Sequence, residues 1–245
     1  MKKSIDINAD VGEGVGNEAQ LMPYLASCNI ACGGHAGDEE TMHKVVDLAI
    51  ENSVKIGAHP SFPDKENFGR QIINISAADL YTSLKAQIRA LLSVIRKKEI
   101  SLHHIKPHGA LYNLAAKDHK TATVIIEVMK SIALPLKLYA PYNSVIASLA
   151  EQENIPVVYE AFGDRNYNTD LSLVSRQQPK ALITDKHDVF EHLYHMFIHD
   201  KVKTIDGVEV PIKVSTFCIH SDTENAVEIA EFLHQKFKEK YIIIR

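Results

Sequence analysis

The chain has 245 residues, of which 24% are charged, and a formal net charge of −4, the composition of an ordinary globular protein. This weakly acidic balance, without any block of lysines or arginines, argues against nucleic-acid binding. No apolar run approaches the ~20 residues of a membrane span, and residues 1–10 hold no secretory core, which predicts a cytoplasmic protein without a membrane contact. Small molecules and other proteins are therefore the expected partners.

The first predicted strand covers residues 4–9 and leads into a glycine-rich loop, DVGEGVG, at residues 10–16. A dinucleotide-binding loop is disfavoured, because the spacing is G-x-G-x-G and Glu13 would lie beside a bound phosphate. The loop instead places polar groups at the carboxyl end of the strand. Asn8, Asp10 and Glu13 are the candidates there.

Four histidines follow four predicted strands. His35 ends the stretch NIACGGHAG, and His59, His108 and His220 follow the next predicted strands at 54–58 and 103–106 and a late one at 214–219. In a parallel sheet the carboxyl ends of the strands open onto one rim, where α/β proteins place their sites. Any single histidine has the alternative of capping its strand, but four together favour a site.

The strand at 103–106 separates two kinds of residue. His103 and His104 lie at its start, away from the expected rim, and are predicted to be structural. Lys106 lies at its carboxyl end and is predicted to be a cation of the site.

The loop EAFGDRNYNTD at residues 160–170 is dense in charge. Arg165 is suited to bind a substrate carboxylate through its planar guanidinium. The alternative is a surface ion pair of Arg165 with Asp170 or Glu160.

Strand and helix patterns alternate through about seven units, which is typical of a parallel sheet. Helices are predicted after capping residues Asp38 and Ser76 and over residues 121–132, 142–153, 185–198 and 223–239, and a hairpin over 201–211. An irregular seven-stranded (β/α) barrel best explains the many polar residues at strand ends, with a doubly wound parallel sheet as the alternative. No linker divides the pattern, so a single α/β domain is predicted over residues 1–245.

Six motifs in order, DINADVGEG, CNIACGGHAGD, GAHPSFPD with FGR, KPHGALYN, EAFGDRNY and CIHSD, resemble the LamB/YcsF family. The resemblance runs from the first strand to about Asp222. It implies a barrel similar to the sugar deacetylases and service as the A subunit of a 5-oxoprolinase. That enzyme opens 5-oxoproline to glutamate at the expense of ATP, in a complex with B and C subunits.

The chain departs from the family pattern at two turns. Leu171-Ser172 and Ser175 stand where D-G-x-L-V-P-R is expected, and Ser221 stands where H-G-D is expected. A residue that replaces glycine in a turn restricts the backbone conformations of that turn. These two changes are therefore expected to affect how the substrate fits the site.

We assign roles to these residues as hypotheses. General base catalysis, or catalysis through a bound divalent metal, is assigned to Asp10, His35, His59 and His108, with Asp10, His35 and His59 as the candidate metal ligands. Substrate binding is assigned to Asn8, Glu13, Lys106, Glu160, Asp164 and Arg165.

No P-loop spacing is present, so ATP would contact this chain in another way or lie on a different component of the complex. Two other functions stay open at this point. One is amide or ester hydrolysis of the deacetylase type, dependent on a metal and not on ATP. The other is a non-catalytic component that presents 5-oxoproline to its partners.

Overall fold

A computed structural model describes residues 4–245, which contain ten strands. They are β1 (Ser4–Val11), β2 (Ser27–Ala31), β3 (Lys55–His59), β4 (His104–Ile105), β5 (Lys137–Pro141), β6 (Val157–Phe162), β7 (Lys201–Lys203), β8 (Glu209–Pro211), β9 (Thr216–Cys218) and β10 (Ile243–Ile244).

Seven parallel strands form a closed ring in the order β1, β2, β3, β4, β5, β6 and β9. Thr216 of β9 closes the ring, because it stands opposite Glu160 of β6 on one side and Asp6 of β1 on the other. The predicted seven-stranded barrel is confirmed. The doubly wound sheet is wrong, since such a sheet keeps two open edges.

Eight α-helices lie within the described residues and connect or flank the strands. They are α1 (Glu18–Leu21), α2 (Glu39–Glu51), α3 (Ala77–Lys97), α4 (Gly109–Ala115), α5 (His119–Ile132), α6 (Val145–Gln152), α7 (Lys186–His199) and α8 (Ala226–Glu239). The predicted caps are present: the side chains of Asp38 and Ser76 accept the backbone N–H groups of Thr41 and Asp79. Each cap supplies an acceptor to an N–H that has no partner inside its helix.

The interior of the barrel is polar. Along β1, Ile5, Ile7 and Ala9 belong to the hydrophobic core, whereas Asn8 and Asp10 hydrogen-bond across the ring to side chains of other strands. Successive side chains of a strand point to opposite faces, so the apolar set faces the helices and the polar set faces the barrel axis. Polar side chains therefore lie along the barrel axis as far as the carboxyl ends of the strands.

Two strand pairings are not part of the ring. β7 and β8 pair antiparallel, which confirms the predicted hairpin, and β10 pairs in parallel with the start of β1. Of the helices in the described part of the chain, none is both long enough and apolar enough to cross a membrane. The prediction of one domain over residues 1–245 stays a prediction, and residues 1–3 of that range lie outside the described residues.

Candidate active site at the carboxyl ends of the strands

A cavity of about 710 Å³ opens at the carboxyl ends of the barrel strands. It collects polar side chains from strands and loops that are far apart in the sequence. Those used below are Asp10, Glu13, His59, Arg70, Lys106, His108, Tyr112, Glu160, Arg165, Arg176 and His220. The rim predicted from the strand ends therefore exists as one cavity.

The glycine-rich loop after β1 places Glu13 among three histidines. Gly12 and Gly14 on either side of it have φ values of +75° and +82°, a conformation that glycine adopts without strain. Glu13 Oε1 lies 2.8 Å from His35 Nε2, 3.2 Å from His108 Nδ1 and 3.7 Å from His59 Nε2. We call Glu13, His35, His59 and His108 the histidine–glutamate cluster.

Backbone carbonyls orient two of these imidazoles. His59 Nδ1 is 2.7 Å from the carbonyl oxygen of Lys106, and His108 Nε2 is 2.9 Å from that of Phe68. A carbonyl only accepts, so these two ring nitrogens carry protons. The other nitrogens, His59 Nε2 and His108 Nδ1, face each other at 2.9 Å. A hydrogen bond at that distance needs one further proton, so the pair holds three protons on four nitrogens.

The pKa shifts agree with a single shared proton. Burial alone would lower the pKa of His59, but the Asp10 carboxylate raises it above its ordinary value. Burial lowers the pKa of His108, and lowers that of His35 to about 4. Burial opposes the ionisation of Glu13, yet hydrogen bonds from His108 and His35 hold its pKa below the ordinary range. At neutral pH the cluster therefore combines an ionised Glu13 with one positive charge shared by His59 and His108.

Below this cluster, Lys106 lies between two buried carboxylates. Its Nζ is 2.9 Å from Asp10 Oδ1 and 3.0 Å from Glu160 Oε1. Burial disfavours the charged ammonium, but Asp10 first and then Glu160 raise the pKa of Lys106 well above its usual value. Burial likewise opposes the ionisation of Asp10, while His59 and Lys106 hold its pKa well below the ordinary one. Asn8 Nδ2 donates to Glu160 Oε1 at 3.0 Å and fixes this second carboxylate.

Asp164 contacts His220 and Thr223. Its oxygens lie 3.0 Å from His220 Nδ1, and it also accepts the backbone N–H of His220 and the hydroxyl of Thr223. Burial would raise the pKa of Asp164, but His220 and these hydrogen bonds lower it. The carboxylate thus fixes the His220 ring, which lines the cavity. This pairing gives His220 a defined orientation for proton transfer.

Arg165 makes neither of the surface ion pairs that were the alternative to substrate binding. It is only 6% exposed, and its Nη2 donates to the carbonyl oxygen of Val174 at 2.8 Å. Its Nε has no hydrogen-bond partner. Arg165 therefore presents a buried cation to the cavity without a carboxylate in contact.

The structure separates the candidate metal ligands proposed from the sequence. One ligand atom from each member of the histidine–glutamate cluster lies within 4.8 Å of the others, whereas Asp10 groups with Cys218 and His220. The cluster fits a divalent ion chemically, because the imidazoles of His59 and His108 each place the second ring nitrogen on a backbone carbonyl, as metal-binding histidines do. Glu13 and His108 thus join the predicted ligands His35 and His59 in one group, while Asp10 belongs to the other.

The fold and the site together define a class: a parallel seven-stranded (β/α) barrel with an acid–base cluster at the carboxyl ends of its strands. The LamB/YcsF family model matches residues 5–245, and the chain belongs to this family.

Relatives of similar length support the membership. Proteins named as the A subunit of 5-oxoprolinase from Histophilus somni and Shouchella clausii are 39% and 40% identical, each over 99% of this chain and 98% of the relative. The crystal structure of the lactam utilization protein from Thermus thermophilus shares the fold with a TM-score of 0.91, at 34% identity over 99% of both chains.

The sequence reasoning did not assign roles to several residues of the cavity. His220 was recognised as a strand-end histidine, but its pairing with Asp164 was not. Arg70 and Arg176 also line the cavity; both stand in motifs that carried the family resemblance or its departures, which was the available signal. His35, in contrast, lies behind Glu13 and is not a lining residue.

The first departure from the family pattern lines the cavity, and the second, Ser221, directly follows the lining residue His220. Leu171, where glycine is expected, has a φ of +65°, so the turn keeps a conformation that favours glycine. Ser221, at the other position, has a buried hydroxyl without a hydrogen-bond partner, and its carbonyl oxygen accepts Asn17 Nδ2 at 3.0 Å. Leu171 lines the cavity and therefore adds apolar surface to it.

Proposed function

We propose that this chain is the A subunit of a 5-oxoprolinase, which hydrolyses 5-oxo-L-proline to L-glutamate with ATP, in a cytoplasmic complex with B and C subunits. The names of full-length relatives support this proposal. The observation that carries it is the cavity itself, in which the histidine–glutamate cluster, Lys106 and Arg165 converge. A small acidic lactam needs this combination of proton-transfer groups and cations.

Ring opening adds one water across the lactam C–N bond: its oxygen bonds to the carbonyl carbon, the C–N bond breaks, and the ring nitrogen gains a proton. The ionised Glu13 carboxylate, whose Oε1 lies 3.2 Å from His108 Nδ1 and 3.7 Å from His59 Nε2, accepts the proton that the water releases. Asp10 stays ionised and compensates the positive charge of the His59–His108 pair. His220, oriented by Asp164, supplies the proton to the departing nitrogen.

Lys106 has a positioning role in this proposal. Its buried ammonium lies between the carboxylates of Asp10 and Glu160 and bonds to both. The two negative charges are thereby kept separate. Arg165 has a free Nε and binds an anionic group of the substrate. ATP makes the carbonyl carbon a better electrophile, and the ATP is hydrolysed to ADP and phosphate in the same cycle.

Reconstitution tests the proposal. The purified chain, alone and with candidate B and C subunits, is mixed with 5-oxoproline and ATP, and glutamate and ADP are measured together. We expect coupled formation of both products only in the complete mixture. Absence of glutamate in every mixture of folded proteins would overturn the assignment.

Replacement of individual cluster residues tests the roles within the site. We expect His59→Ala, and His35→Ala acting through Glu13, to lose glutamate formation in the reconstituted mixture while the chain stays folded. A soluble, folded variant with near wild-type turnover would contradict the role of that histidine. The control is His119→Ala at the exposed start of α5, which leaves the cavity unchanged.

A second function, amide hydrolysis that depends on a metal and not on ATP, is favoured by one observation: the four clustered ligand atoms. Glu13, His35, His59 and His108 would hold the ion. A divalent metal would supply Lewis-acid polarisation of a carbonyl and an acidified water. Metal analysis of the purified chain, with Glu13→Gln as the comparison, tests this. A stoichiometric ion lost in the variant, together with hydrolysis of an amide without ATP, would replace the first proposal.

A further inference from the structure

Three arginines line one part of the cavity, and the carboxylate of Asp222 contacts two of them. Arg70 Nη2 lies 2.5 Å and Arg176 Nη1 3.6 Å from Asp222 Oδ2. Arg165 forms no ion pair with a carboxylate of residues 4–245; the group it bonds is the carbonyl oxygen of Val174. We call Arg70, Arg165 and Arg176 the arginine cluster.

The charges of the cluster are mutually repulsive. Burial and the nearby Arg176 lower the pKa of Arg165 from its ordinary value, and Arg70 adds to the effect. Like charges that are held together and partly shielded from water cost folding free energy unless an opposite charge joins them. Asp222 contacts two of the arginines, and the nearby Asp164, which acts to raise the pKa of Arg165, is already bonded to His220 and Thr223, so the positive charge of the cluster is only partly compensated.

The donors of the cluster are available to a ligand. Arg165 is 6% exposed and its Nε is buried without a partner. The side chains of Arg70 and Arg176 are 41% and 32% exposed, and both border the same cavity as Arg165. A guanidinium offers five N–H donors in a planar fork, and each arginine here uses only part of them.

We propose that the arginine cluster binds a phosphoryl dianion inside the cavity. A phosphoryl group carries two negative charges and three acceptor oxygens, one oxygen for each guanidinium of the cluster. A carboxylate carries one negative charge and offers two oxygens. This inference rests on the proposed function, in which the phosphoryl group comes either from a phosphorylated lactam or from the terminal phosphate of the nucleotide.

The same cavity contains both the arginine cluster and the acid–base groups Asp10, His59 and His220. A substrate whose phosphoryl group is bound by the arginines can therefore extend its reacting carbon toward these groups. The cluster would then select the activated form of the substrate over the unactivated lactam. Selection of this kind limits unproductive occupation of the site.

Titration calorimetry of the full chain with inorganic phosphate tests the proposal, in low salt at a pH where most of the phosphate is dianionic. We expect Arg70→Gln and Arg176→Gln each to weaken phosphate binding by about tenfold or more, since each removes a charge-assisted hydrogen bond. The matched control is Arg96→Gln, in the last turn of α3 and outside the cavity, which leaves the affinity unchanged. Thermal unfolding checks that every variant is folded.

Two further probes identify the source of the phosphoryl group. Tighter binding of β,γ-imido ATP than of phosphate, lost in the arginine variants, would indicate the nucleotide. Tighter binding of acetyl phosphate, an acyl phosphate without a base, would indicate a phosphorylated substrate. Either result supports a phosphoryl site.

Three results would overturn the proposal: no phosphate binding by the wild-type chain at millimolar concentration, equal affinity in wild type and both arginine variants, or acetate binding as tight as phosphate. The phosphate-binding test and the glutamate-formation test can fail separately. Arginine-dependent phosphate binding without glutamate formation would leave the cluster intact and reject the oxoprolinase. Glutamate formation without phosphate binding would support the oxoprolinase and reject the phosphoryl site.

Discussion

The barrel contains two polar regions that differ in how completely their hydrogen bonds are made. In the interior, Asn8, Asn29, His104 and Thr216 are fully buried, and none of their polar side-chain atoms lacks a partner. At the cavity, the buried atoms Glu160 Oε2, Tyr112 Oη and Arg165 Nε have none. Unpaired buried polar groups are costly, so a protein retains them where a ligand or a reaction uses them. The interior is built for stability and the cavity for binding.

A directed chain of hydrogen bonds shows how the interior serves the site. Lys137 Nζ lies 3.1 Å from His103 Nε2, His103 Nδ1 lies 3.0 Å from His104 Nδ1, and His104 Nε2 lies 2.7 Å from Asn29 Oδ1. Asn29 Nδ2 then donates to Asp10 Oδ1 at 2.8 Å. Since lysine only donates, the whole chain runs in one direction and fixes the tautomer of each histidine. The Asn29 amide is thereby oriented toward Asp10.

The largest effect should come from removing the cation that joins the two regions. Lys106→Met leaves Asp10 and Glu160 as buried carboxylates without their shared partner. We expect the free energy of unfolding to fall by about 3–5 kcal/mol, as for a broken buried ion pair. Urea denaturation followed by circular dichroism measures it. A loss below ~1 kcal/mol would show that the interior does not depend on this ion pair.

The second prediction tests how the hydrogen-bonded residues from Lys137 to Asp10 are packed inside the barrel. A Cβ atom added at Gly57 would lie 2.1 Å from His104 Nε2, and His104 is stacked on Tyr139 with ring centroids 3.7 Å apart. Gly57→Ala should therefore displace His104 from Asn29 and cost about 2–4 kcal/mol.

Gly207→Ala is the control for this substitution. Gly207 has a φ of +80° but no atom within 4 Å of an added Cβ, so only backbone strain of about 1 kcal/mol is expected. Equal losses for the two variants in urea denaturation would contradict the packing explanation.

The third prediction concerns pH. Burial lowers the pKa of His104 well below its ordinary value, so the folded state keeps His104 neutral while the unfolded chain protonates it near its usual pKa of about 6.5. The unfolded state binds more protons, and the contribution of neutral His104 to stability is present above that pH and is lost as the pH falls.

Comparison with His104→Gln isolates this contribution. Between pH 6.5 and pH 5 the wild type should lose about 1.5 kcal/mol more of its unfolding free energy than the variant does, at up to ~1.4 kcal/mol per pH unit. Urea denaturation at four pH values measures both slopes. Parallel slopes would indicate that His104 titrates alike in both states.

The smallest effect is expected at the cavity and has the opposite sign. Arg165→Met removes a buried cation with an unpartnered Nε and loses one hydrogen bond to Val174. We expect the free energy of unfolding to stay unchanged or to rise by up to about 1 kcal/mol, because the repulsion from the neighbouring arginines disappears. Thermal unfolding measures it, and a fall of more than ~1 kcal/mol would mean that the cavity residues stabilise the fold as the interior ones do.

The sequence predicts those parts of the molecule that depend on neighbouring residues. The caps Asp38 and Ser76, the hairpin over 201–211 and the histidines after the strands follow from local patterns, and the barrel follows from their alternation. The contacts of Glu13 with three histidines could not be predicted, because they require the closed ring to bring the carboxyl ends of β1, β2, β3 and β4 together.

Two assignments show what long-range contacts decide. Asp164 is predicted to orient the substrate, and the structure pairs it with His220, whose position depends on the pairing of β6 with β9. Arg165 was open to ion pairs with Asp170 or Glu160, and the structure shows neither. The partners of Asp164 and Arg165 both depend on where the loop after β6 packs against the barrel. The spacing of residues in the sequence does not predict that position.

The central claim is that the histidine–glutamate cluster performs the chemistry, and the most direct test is glutamate formation by Glu13→Gln with the B and C subunits, 5-oxoproline and ATP. The substitution keeps the size of the side chain and removes the charge that contacts His35 and His108. We predict a fall of about 10²–10⁴-fold against the wild type, with circular dichroism showing that the variant is folded and with the surface control Glu39→Gln fully active. Glutamate formation by folded Glu13→Gln at the wild-type rate would contradict the account.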